Sequence, residues 1–177
     1  RLATPRGGLC GRSATRSGCA LMEVANLPAL LKEYNAARRP ELTHKFCHAP
    51  QMSLNFHQSG NVNACCYNRN QVLGRYPENS IQEIWEGEKR KELRLALDKP
   101  DFSMVCQGCA LVFQEKAFIS IHARDYDHKM PRSGRLEIDA PTHFEFEISN
   151  LCNLECVMCD GTFSSLIRKN REKLPPL

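Results

Sequence analysis

No apolar stretch of the sequence approaches the ~18 residues that a membrane-crossing helix needs, which reads as a soluble chain with no membrane partner. A strong imbalance of charge is absent as well: a formal net charge of +4 over 177 residues is modest, and much of the basic excess sits in the first 20. Nucleic acid is therefore not an expected partner. The six histidines show no paired helical spacing with carboxylates, so none is assigned to a metal. Ten cysteines in 177 residues, about 6%, fall below the ~8–10% of a disulfide scaffold. They cluster as C-x2-C and C-x3-C-x2-C instead of spreading evenly, a pattern that suits metal binding in a reducing compartment, here the cytoplasm. The sequence begins with Arg1 and stops at Leu177 just after a helical pattern starts, and is expected to be a piece of a longer chain.

What is present is organised around one stretch. The alternating run Phe144-Glu145-Phe146-Glu147-Ile148 reads as a strand, and it delivers Cys152, Cys156 and Cys159 at its end. Three thiols at this spacing make a metal-binding loop the expected structure. An iron-sulfur cube held by three thiolates keeps one iron open for another ligand, whereas zinc wants a fourth donor nearby.

The run Glu147-Ile148-Ser149-Asn150-Leu151-Cys152-Asn153-Leu154-Glu155-Cys156-Val157-Met158-Cys159 resembles the cluster loop of radical S-adenosylmethionine (SAM) enzymes. The resemblance implies that Cys152, Cys156 and Cys159 hold a four-iron four-sulfur (4Fe-4S) cluster whose open iron binds SAM. It also implies reductive cleavage of SAM to a 5'-deoxyadenosyl radical, an electron donor such as flavodoxin or ferredoxin, and a peptide or small-molecule substrate. Met158 is placed at the cofactor. It stands where the family often has an aromatic residue, and offers a polarisable thioether without a flat ring.

The rest of the chain divides around a second cysteine set. Residues 1–20 are Arg-rich, Ser-rich and acid-poor, like a transit peptide, but are assigned as a disordered tail; Cys10 and Cys19 in it have no partner motif. A leading helix is predicted over 21–39, with Leu27, Leu30, Leu31 and Tyr34 on one face, Pro28 in its first turn and Pro40 ending it. Met52, Leu54 and Phe56 alternate with polar residues, Ser59-Gly60-Asn61 supplies a turn, and Val62 and Ala64 resume the alternation, predicting a β-hairpin. Ser80-Ile81-Gln82-Glu83 carries a capping box, Gly87 interrupts the helix it opens, and a second helix with a solvated face over 88–92 runs to Leu97 before Pro100. In Cys106-Gln107-Gly108-Cys109, Gly108 is the residue expected to permit the turn.

Cys47, Gly60, Cys65 and Cys106-x2-Cys109, with Ser80-Ile81-Gln82-Glu83-Ile84-Trp85 between them, resemble the auxiliary iron-sulfur module called SPASM, or its one-cluster form, twitch. The longer form continues with further cysteines after the C-x2-C knuckle, and here none occurs between Cys109 and Cys152. The resemblance thus implies one auxiliary 4Fe-4S cluster on Cys47, Cys65, Cys106 and Cys109. Cys66 is the spare by spacing, and a one-residue change of register would exchange it with Cys65.

Residues 110–143 are expected to be connecting structure in which Leu111, Val112, Phe113, Phe118, Ile119 and Ile121 complete a small core. Asp125, Asp127 and His128 are expected in a solvated loop. The predicted fold class is α+β: a tail over 1–20, a SPASM/twitch-like module with its leading helix over 21–123, a linker over 124–143, and over 144–177 the first strand and helix of an incomplete α/β radical SAM barrel. The alternative from another class is a zinc-binding, cysteine-rich interaction module without catalysis.

Overall fold

A computed structural model of the chain describes residues 24–98, 102, 106–132 and 139–176. The tail expected over 1–20, the start of the leading helix and Pro100 lie outside these residues. Helix α1 spans Leu27–Ala36, with Pro28 in its first turn, and buries Leu30 and Tyr34. Pro40 does more than end it. Its fixed φ and missing N–H suit the start of a new turn, and it opens a 3-10 turn at Pro40–Leu42 that seats Leu42 in the core.

One helical turn, α2 (Ala49–Met52), feeds strand β1 (Ser53–Phe56), so the strand starts one residue later than the alternation implied. Strand β2 (Asn61–Asn63) returns antiparallel, pairing Asn55 with Asn63 and Phe56 with Val62. Gly60 turns the hairpin at φ +86°, and a Cβ there would stand 2.8 Å from the Tyr76 carbonyl oxygen. Both features require glycine. Strand β3 (Gly74–Arg75) pairs with β2.

Helix α3 (Ile81–Glu86) starts on the capping box: the Ser80 hydroxyl accepts from the Glu83 N–H, and Glu83 accepts from the Ser80 N–H at 2.7 Å. Gly87 separates it from α4 (Glu88–Asp98), which buries Leu93 and Leu97. The face expected in solvent over 88–92 differs at one position. Arg90 is buried, its guanidinium 3.3 Å from the Trp85 ring centroid while it donates to the carbonyls of Pro50 and Trp85. The indole face and two accepting carbonyls offset part of the cost of burying the cation, and burial still lowers the Arg90 pKa to about 10.

The segment expected to be connecting structure is largely helical. It forms α5 (Gln107–Gln114), a 3-10 turn (Phe118–Ser120) and α6 (Ala123–Lys129). Phe113 and Ile121 enter the core, but Leu111 and Ile119 point outward, Ile119 being 93% exposed. Asp127 is not in a solvated loop: it lies on α6, buried, and takes both arms of the Arg38 guanidinium at 2.7 and 2.9 Å. The core centres on Tyr34, Phe46, Phe102 and Phe113, with Phe46 edge-on to Phe102 at 4.6 Å and to Phe113 at 5.4 Å between centroids.

Strand β4 (His143–Phe146) lies parallel to β1, with His143 beside Ser53 and Phe146 beside Phe56. The sheet order is β3-β2-β1-β4. The strand expected to begin a barrel is thus the fourth strand of the module's own sheet. After the cysteine loop, α7 (Ser165–Asn170) is capped by the Ser164 hydroxyl, which accepts from the Ile167 N–H. The fold is α+β. Among the described residues no helix is long and apolar enough to cross a membrane.

Candidate metal centre

Four cysteines come to the module interior from three places in the chain. Cys47 precedes α2, Cys65 follows β2, and Cys106 and Cys109 open α5. At the α5 knuckle the left-handed residue is Cys106 itself, at φ +60°, and not Gly108, which lies inside the helix. A Cβ on Gly108 would meet only the Tyr67 ring, at 3.4 Å. That is an ordinary contact, so neither the turn nor the neighbouring ring requires glycine at this position.

Cys65 lies in the bend after β2 and Cys66 in the turn that follows, and their side chains separate. Cys65 is buried with Cys47 and Cys109, and Cys66 is half-buried beside Arg69, Glu145 and Glu147.

Burial pushes the Cys65 thiol up to about 12 and raises Cys47, Cys106 and Cys109 as well. Neighbouring thiols add to this: Cys47 is raised by the other three, Cys106 by Cys65 and Cys109, and Cys65 by Cys109, so the four sulfurs occupy one region. Backbone amides point at three of them. The Ala49 N–H donates to Cys47 Sγ at 3.4 Å, Tyr67 and Asn68 donate to Cys65, and Ala123 and His122 to Cys109.

Such amides favour thiolate over thiol, while burial opposes it. A bound cation resolves the conflict, because ligation deprotonates the sulfur outright. An all-sulfur, water-poor donor set with amides directed at sulfur fits an iron-sulfur cluster. Among the described residues no three Cys, His, Asp or Glu side chains are gathered as a group for a metal ion. The four thiols are neighbours in one region and not a closed shell.

Cys152, Cys156 and Cys159 lie apart from them, in the loop between β4 and α7. Cys156 is exposed and the other two are half-buried. Side chains at both ends hold the loop's backbone. Asn150, buried, donates to the Gly161 carbonyl at 3.0 Å; the Cys152 N–H donates to Ser165 Oγ at 3.2 Å; and the Ser164 hydroxyl donates to the Leu154 carbonyl at 2.6 Å. Met158 is 87% exposed. A cavity of about 950 Å³ opens beside Cys152 and Asn153, with Arg168 and Lys169 on its wall.

Along one face of β4 runs a polar layer that the sequence did not announce. Glu145 accepts from Tyr126 at 3.0 Å and stands 3.2 Å from His143, while Glu147 is held by Arg69 and faces His57 at 3.4 Å. His122 joins this layer, with Nε2 3.6 Å from Cys66 Sγ and Nδ1 2.9 Å from Asp125. The strict alternation of Glu145 and Glu147 with Phe144 and Phe146 was the available signal, since it marks one face of β4 as polar.

Site and fold together define a small α+β module with a thiol-lined interior. Residues 47–110 match the family model of the SPASM iron-sulfur cluster-binding domain, the segment that carries Cys47, Cys65, Cys106 and Cys109. The match supports iron-sulfur binding in an auxiliary module of the kind found in radical SAM enzymes. No curated protein and no solved structure matches the chain.

Proposed function

We propose that the chain is part of a radical SAM enzyme, with an auxiliary 4Fe-4S cluster on Cys47, Cys65, Cys106 and Cys109 and a second, SAM-binding cluster on Cys152, Cys156 and Cys159. The observation that carries the reading is the group of four neighbouring thiols, three of them buried and met by backbone amides, within the segment that matches the SPASM model. The second cluster rests on the three-thiol loop and its resemblance. When bound there, a 4Fe-4S cluster supplies the electron that splits SAM into methionine and a 5'-deoxyadenosyl radical.

The residues of this chain contribute position. Asn150, Ser164 and Ser165 hold the backbone around Cys152, and the half-buried Cys152 and Cys159 face less water than Cys156. Tyr126 and Arg69 hold Glu145 and Glu147 along β4, which leads into the three-cysteine loop. A flavodoxin or ferredoxin as reductant, a peptide or small molecule as substrate, and a cytoplasmic location belong to the same proposal.

The test is metal analysis of protein purified without oxygen from iron-replete cells. Iron and acid-labile sulfide sufficient for two clusters per chain are expected, with the three-thiol set lost on replacing Cys152, Cys156 and Cys159 by Ala. Stoichiometric zinc with little iron would overturn the proposal and leave the closed zinc module in its place.

A further inference from the structure

The two cysteine groups are joined by one arginine. Arg69 stands in the loop that follows Cys65, and that loop is pinned from below. The Asn63 side-chain amide, itself buried, donates to the carbonyls of Asn68, Arg69 and Gln71 at 3.1, 3.3 and 2.8 Å. From this anchored backbone the Arg69 guanidinium forks onto Glu147, with Nη1 to Oε2 at 3.1 Å and Nη2 to Oε1 at 2.5 Å. Its central carbon lies over the Phe163 ring, 4.4 Å from the centroid.

Where those partners lie gives the contact its meaning. Glu147 is fixed at the end of β4, its N–H donating to the Phe56 carbonyl at 2.8 Å, and so stands just before the three-cysteine loop. Phe163 lies just after that loop, ahead of the α7 cap. One side chain, rooted beside Cys65, therefore grips both ends of the segment that carries Cys152, Cys156 and Cys159. Gln58 adds a second tie, donating to the Thr162 carbonyl. A half-exposed ion pair alone would hold little. The bidentate fork and the ring contact add geometry that a point charge lacks.

We propose that Arg69 is the positioning residue through which the four-thiol module sets the place of the three-cysteine loop. Its backbone moves with Cys65, so whatever fixes Cys65 also fixes the loop at a distance, and the coupling runs both ways. The inference rests on the two-site reading above, but its first test does not need a cluster.

In the reduced, metal-free full chain, iodoacetamide labelling followed by peptide mass spectrometry reads each thiol separately. Cys156, exposed already, is the internal standard. Arg69→Gln should raise labelling of Cys152 and Cys159 by roughly threefold to tenfold, as expected when a local tie is released, and leave Cys47, Cys65 and Cys109 protected. Arg69→Lys should not restore the wild-type rates, because an ammonium cannot make the fork. Unchanged rates at Cys152 and Cys159 would overturn the proposal. So would a uniform rise at every cysteine, which would make Arg69 a general support of the fold.

In reconstituted protein the same variant should alter the electron paramagnetic resonance signal of the three-thiol cluster and spare that of the four-thiol cluster; an unaltered three-thiol signal would again count against Arg69. If wild-type protein carries zinc in place of iron, the two-cluster reading fails, while the labelling pattern still decides the role of Arg69.

Discussion

Alkali should weaken the metal-free chain within a window set by its buried thiols. In the unfolded chain a thiol releases its proton near its ordinary value of 9.0, whereas in the folded chain burial holds the Cys65 proton up to about 12. Below the first value both states keep the proton and pH has no effect through this group. Between the two values the unfolded state binds fewer protons than the folded one, so stability falls as pH rises. A separation of about three units at ~1.4 kcal/mol each gives roughly 4 kcal/mol from Cys65 as an upper figure. Cys47, Cys106 and Cys109 shift in the same direction for the same first cause. Against a total stability of about 5–15 kcal/mol this is a large loss.

The assay is urea unfolding of reduced, chelator-treated protein, followed by Trp85 fluorescence at several pH values from about 7.5 to about 10.5. The midpoint should be level up to about pH 8.5 and fall beyond it, and Cys65→Ala should flatten the fall. A midpoint that stays level or rises across the whole range would refute the placement of these thiols in a dry interior.

Replacing Asp127 by Asn should cost about 3–5 kcal/mol in urea unfolding, because it strands the fully buried Arg38 guanidinium. Cys65→Ala should abolish iron binding at the four-thiol site, and Cys66→Ala should leave the iron content there unchanged, since only the former sulfur lies among the other buried thiols. Gly60→Ala should lower the unfolding midpoint by more than about 1 kcal/mol equivalent, because the left-handed backbone and the Tyr76 carbonyl both oppose a Cβ. Ser80→Ala should cost about 1 kcal/mol by removing the helix cap, measured in the same way.

The hairpin and the capped helix were legible because their causes are local. Gly60 and the alternation around it lie within a few residues, as do Ser80 and Glu83. The helices over 107–129 were missed where the cause is distant. Asp127 looked solvated because it sits in a run of charged and polar residues, Arg124 to Lys129, while the partner that buries it, Arg38, arrives from the other end of the module. Arg90 misled for the same reason, since Trp85 and the Pro50 carbonyl are what make its burial tolerable. At the site, the cysteine spacings marked which thiols to examine, but adjacent Cys65 and Cys66 could be told apart only by the side of the chain that faces the interior. The polar layer under Glu145 and Glu147 depends on β4 lying beside β1, a pairing between strands far apart in the chain. Alternation revealed the strand and not its neighbour.

That parallel pairing has a consequence for heat stress. Because β4 is hydrogen-bonded along its length to the strand that opens the hairpin, the segments bearing both sets of cysteines should melt in one cooperative transition. A brief thermal excursion would then spend both sets of thiols together, exposing Cys47 and Cys152 to oxidant in the same event. Survival of the chain after such an excursion would depend on how fast it refolds relative to how fast its thiols oxidise.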